Sequence, residues 1–64
     1  MITSEQVANI RRSLLSKVEI KVRNTKVFGI WNDIQLDTQT GLIDGIYVGE
    51  KLYRLGEIDY ILVR

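Results

Sequence analysis

A small, closed, strongly bent β-barrel of about five strands with one short N-terminal α-helix is the fold that this sequence predicts. Three observations carry the expectation. From Lys17 onward apolar residues recur at every second position, the period of a half-buried strand. The stretch Asp37-Thr38-Gln39-Thr40-Gly41 has the composition of a hairpin loop, with the glycine supplying the positive φ that closes it. Helical spacing is confined to the segment before Ser16.

The elements follow in order. Thr3 and Gln6 form a capping-box pair ahead of Val7, Ile10 and Leu14, with Ala8 and Leu15 beside them, so residues 3–15 read as a helix. Its other face carries Glu5, Gln6, Asn9, Arg11, Arg12 and Ser13, an ordinary solvated surface. "KVEIKVR" alternates Val18, Ile20 and Val22 with Glu19, Lys21 and Arg23 and reads as a strand with a charged outer face. "RNTK" is a turn. In the long strand that follows, Phe28, Ile30, Ile34 and Leu36 hold one phase, interrupted at Asn32, while Val27 and Trp31 fall on the other. Gly29 inside that strand relieves crowding where a sheet coils.

Beyond the Asp37 to Gly41 loop, residues 42–48 alternate as a strand, "GEK" turns the chain into Leu52-Tyr53-Arg54, and "LGEID" is one tight turn before a closing strand at 60–63. Short connections throughout suit a closed barrel, which leaves no sheet edge exposed. The 64 residues contain no repeat, no proline and no low-complexity run, so they form a single domain, residues 1–64. A core this small is marginal alone, and association, with a homodimer as the simplest form, is expected.

Composition narrows the chemistry. Cysteine and histidine are absent, which removes disulfides, thiol chemistry, the usual zinc ligands and the proton shuttle that titrates near neutrality. Nine basic against eight acidic residues give a net charge of +1, no general attraction to nucleic acid. Asp33, Asp37 and Asp44 do not follow the spacing of a calcium loop, and Leu42 and Ile43 stand where oxygen ligands would be needed. The acidic residues, with Glu50, Glu57 and Asp59 included, have turn-forming or solvated explanations and no base beside them. No cofactor, metal or catalytic residue is expected. The N-terminal segment has neither an apolar run of signal-peptide type nor a membrane span, so a cytoplasmic protein is expected.

The stretch "GIWNDIQLDTQTGLIDGIYV" resembles the central hairpin of the PRC-barrel family. The matching positions are Gly29, Asp33-Ile34, Leu36-Asp37, Thr40-Gly41, and Ile43 with Ile46 and Val48. "LLSKVEIKV" is similar to the opening strand of that family and "LGEIDYILV" to its closing turn and strand, so the likeness runs from Leu14 to Val63. It implies a small β-barrel that acts as a docking or assembly module without catalysis. The helix followed by bent strands, with "VEIKVRNTKVFGIW", also looks like the start of Sm-like RNA-binding barrels. Asn24-Thr25 stands where those rings usually carry an Asn-Gly type of turn, and the Lys-His pair of the host-factor RNA chaperone type has no counterpart.

The function expected is therefore a non-catalytic protein-interaction module docking to a larger complex, with an Sm-like RNA binder as the alternative. Protein partners, copies of the chain among them, are expected ahead of nucleic acid. The candidate contact residues are Trp31, Tyr47 and Tyr53, whose rings offer large contact area at low entropic cost, and Arg54, a planar donor near them. Trp31 either packs under the helix or stands out as an anchor.

Overall fold

A computed structural model describes residues 1–64. It contains an α-helix α1 (Ser4–Asn9), a 3-10 turn (Arg11–Ser13), strands β1 (Lys17–Val22), β2 (Thr25–Leu36), β3 (Ile43–Val48) and β4 (Lys51–Arg54), a second 3-10 turn (Leu55–Glu57), and strand β5 (Ile58–Val63). The five strands form one antiparallel sheet in the order β4-β3-β2-β1-β5. The fold is thus mainly β with one short helix, as the periodicity predicts.

The sheet does not close. No backbone pairing joins β4 to β5, so both remain edges, in contrast to the closed barrel expected from the sequence. The cause is local: β4 is only four residues long, and the 3-10 turn Leu55–Glu57 sends β5 straight across to β1. Between the β1–β2 turn and β4 lies a recess of about 490 Å³ lined by Val22, Val27, Leu52 and Tyr53, bridged by Arg23 and Glu57 at 3.7 Å.

The N-terminal segment covers the concave face of the bent sheet. Thr3 accepts from the Gln6 backbone while Gln6 accepts from the Thr3 backbone, completing the capping box. The Ile2 amide donates to the Ile58 carbonyl at 3.0 Å and the Ile43 amide to the Ser4 hydroxyl at 3.1 Å, which ties the segment to β5 and β3 together. Ile2 and Val7 then join Val18, Ile20, Trp31, Ile46, Val48, Tyr53, Leu55 and Ile58 in one core. The helix is shorter than the expected 3–15. It ends at Asn9, and Leu15 sits at a φ of 74°, because the Leu15 amide and Ser16 carbonyl are taken by the backbone of Trp31, which draws the chain into β1.

A bulge organises β2. Trp31 pairs with Val48 and Asp33 with Tyr47, leaving Asn32 as the extra residue. Such a bulge bends the strand and shifts its side-chain phase by one position. Phe28 and Ile30 therefore do not share a face with Ile34: they point to the convex side, 63% and 36% exposed, while Trp31 and Ile34 turn inward. The single phase expected across Asn32 is corrected by this bulge. The bulge also places the Asp33 carbonyl 3.1 Å from the Trp31 indole nitrogen, which donates to it and so is satisfied inside the core.

The loop after β2 follows its sequence signature. Asp37 accepts from the amides of Gln39 at 2.7 Å and Thr40 at 3.1 Å, the Asp37 amide donates to the Leu42 carbonyl at 2.8 Å, and Gly41 takes a φ of 72°.

Candidate interaction surface

The convex face of β2, β1 and β5 is built from three cross-strand rows. Lys26, Lys21 and Tyr60 lie side by side, then Phe28, Glu19 and Leu62. In the third row Ile30 opposes Lys17, and the Arg64 amide donates to the Lys17 carbonyl. The outward phase of each strand follows from alternation: Val18 and Ile20 point into the core, so Lys17, Glu19 and Lys21 point out.

At the centre, Glu19 departs from the solvated residue that its strand phase suggests. It is only 3% exposed, flanked by Phe28 and Leu62. A carboxylate removed from water needs charge-assisted partners. The Tyr60 hydroxyl donates to one oxygen at 2.6 Å, and the Arg64 guanidinium bonds the other. Those two bonds, the Tyr60 bond first, hold the Glu19 carboxyl below its ordinary value of 4.5, against the opposing effect of burial. The same bond pushes the Tyr60 phenol upward. In the hairpin loop, the amides of Gln39 and Thr40 lower the Asp37 carboxyl from 3.8.

These shifts fix the sign of an acid effect. A carboxyl whose folded pKa is depressed contributes stability that is complete above its unfolded value and is lost as pH falls through the folded value. The urea midpoint should therefore drop as pH falls below about 4.5, the ordinary Glu19 value, and Glu19→Gln should flatten that fall. A wild-type midpoint constant from pH 5 to pH 2, on the order of the window in which such carboxylates titrate, would contradict the account.

Apolar surface surrounds this centre. Phe28, Leu62 and Ile30 are exposed to 63%, 48% and 36%, and a recess of about 310 Å³ lies among Phe28, Ile30, Lys17 and Arg64. Lys17, Lys21 and Lys26 have no ion-pair partner, since the four ion pairs use only Met1, Arg23, Arg54 and Arg64 as cations. Lys21 and Lys26 stand directly opposite one another, a repulsive arrangement that the Glu19 carboxylate relieves in part through its attraction to Lys26.

The four contact residues expected from the sequence are not brought together. Trp31 is fully buried and Tyr53 is 9% exposed. Both belong to the core, so Trp31 offers a partner no surface and Tyr53 almost none. Here the packing of Trp31 under the N-terminal segment prevails over the exposed anchor, since ahead of the bulge Trp31 shares the inward phase of Val27. Tyr47 and Arg54 lie on the opposite, convex side of β3 and β4: Tyr47 pairs with Leu52 and Arg54 with Gly45. Tyr47 is half-buried with its hydroxyl 3.4 Å from Gln35, and exposed Arg54 is 3.4 Å from Asp44.

No three His, Cys, Asp or Glu residues lie together in a metal-binding arrangement, and no helix is long and apolar enough to cross a membrane. Comparison with family models, curated proteins and solved structures finds no match to this chain.

Proposed function

We propose that the protein is a non-catalytic docking module of PRC-barrel type whose contact surface is the convex face of β2, β1 and β5. One observation supports this reading above the others: Phe28, Ile30 and Leu62 are exposed side by side around a polar centre that is already internally satisfied. A buried acid bonded on both oxygens is a poor candidate for chemistry and a good rigid support. It holds Tyr60 and Arg64 in place, so an apolar partner surface would meet a preorganised face. The three unpaired lysines around it select a partner that is acidic as well as apolar.

An Sm-like RNA-binding barrel is the second reading, favoured by the helix placed before five bent antiparallel strands and by the Lys21–Lys26 pair. On the docking reading, protein retained by the immobilised chain stays after ribonuclease treatment, and single-stranded RNA does not bind at physiological salt. RNA binding that is abolished by Lys21→Ala with Lys26→Ala would replace the docking reading, because phosphate contacts depend on such cations.

A further inference from the structure

The two halves of the sheet carry opposite charge. Residues 17–30 and 55–64 hold Lys17, Lys21, Arg23, Lys26 and Arg64 against Glu19, Glu57 and Asp59, a net +2, although the whole chain is only +1. Residues 31–54 hold Asp33, Asp37, Asp44 and Glu50 against Lys51 and Arg54, a net −2. Each half also presents apolar side chains. At the end of the β2–β3 hairpin, beside Asp37, Leu36 and Leu42 are 48% and 59% exposed, and Asp33 lies further down β2 opposite Tyr47.

We propose that the lysine-bearing convex face of one copy receives the acidic β2–β3 hairpin end of a second copy, a head-to-tail contact that rests on the docking reading. Leu36 or Leu42 enters the recess among Phe28, Ile30, Lys17 and Arg64, and Asp33 and Asp37 neutralise the facing lysines. The contact cannot form within one chain. Phe28 and Leu36 lie on the same strand on opposite sides of the Asn32 bulge, at most roughly 25 Å apart at the rise of an extended chain, and the chain between them is held in the sheet. Opposite charges on separate surfaces of identical copies favour association over repulsion, and the contact is heterologous, so it extends or closes as a ring. Lys21 and Lys26, opposed across the strands, gain anions beyond the internally bonded Glu19.

Sedimentation equilibrium on the purified chain tests this. At low salt the mass should exceed 7.4 kDa and fall toward it as salt is raised, since screening weakens exposed charge contacts. Lys21→Glu with Lys26→Glu should weaken association by about tenfold or more, as should Asp33→Lys, because each places like charges together. An equimolar mixture of these two variants should associate more tightly than either alone. Emission from buried Trp31 reports that each variant is folded, and Leu42→Lys serves in place of Asp33→Lys should that variant unfold. A monomer at every concentration, a lysine double variant that associates like the wild type, or a mixture no tighter than its components would overturn the proposal. A monomeric wild type that still retains a protein partner, lost with Phe28→Ala, overturns self-docking alone. Partner retention indifferent to Phe28→Ala overturns the docking reading beneath it.

Discussion

Trp31→Ala should destabilise the fold by about 3–5 kcal/mol, the range for removing a buried large aromatic side chain. Trp31 has no exposed surface, its indole nitrogen is satisfied by the Asp33 carbonyl, and its backbone binds both Leu15 and Ser16. It therefore joins the N-terminal segment, the bulge and the core at one point. A domain of this size has a total stability of the same order, so the variant should be largely unfolded at 25 °C by circular dichroism. A two-state urea transition shifted by less than about 1 kcal/mol, the typical effect of an unremarkable substitution, would show that the ring does not hold the core.

Gly45→Val should be the next most damaging change, at about 2–3 kcal/mol for forced overpacking. Gly45 is buried where β3 passes β4. A side chain there meets the Leu52 methyl and the Tyr53 carbonyl at 3.0 Å and Gln35 at 3.5 Å. Leu52 can yield, but the carbonyl belongs to the ladder itself, so the strands must separate. Gly45→Ala should show a smaller loss in the same direction, and thermal melts of the pair check the ordering. Equal melting temperatures for wild type and Gly45→Val would mean that β4 does not lie against β3 at this register.

The hairpin loop and the alternation of β1 were legible because their causes are local. Asp37, Thr40 and Gly41 act within a few residues of one another, and the core positions Val18 and Ile20 follow from period two. Two non-local causes hid the surface. The bulge at Asn32 exists because β2 leaves β1 to pair with β3, and it puts Ile34 on the inward face of Trp31 instead of on the face of Phe28 and Ile30. The burial of Glu19 depends on Tyr60 and Arg64, which are 41 and 45 residues away along the chain. An isolated acid between Lys17 and Lys21 was the one trace of that cluster in the sequence. Trp31, Tyr47 and Tyr53 stand out in the sequence by residue type, and type alone does not say which side of a bent sheet a ring occupies. Closure of the barrel likewise depends on how β4 and β5 meet, which alternation cannot specify.

The claim that the convex face carries docking is tested most directly by comparing partner retention on three immobilised proteins after nuclease treatment: wild type, Phe28→Ala with Leu62→Ala, and Tyr47→Ala. All three should remain folded by Trp31 emission, because the altered side chains lie outside the core cluster. The Phe28 and Leu62 double variant should weaken retention by more than about fivefold, the scale of a 1 kcal/mol hot-spot loss, while Tyr47→Ala should change it little. Retention lost with Tyr47→Ala and unchanged by the double variant would contradict that claim and move the contact surface to β3 and β4.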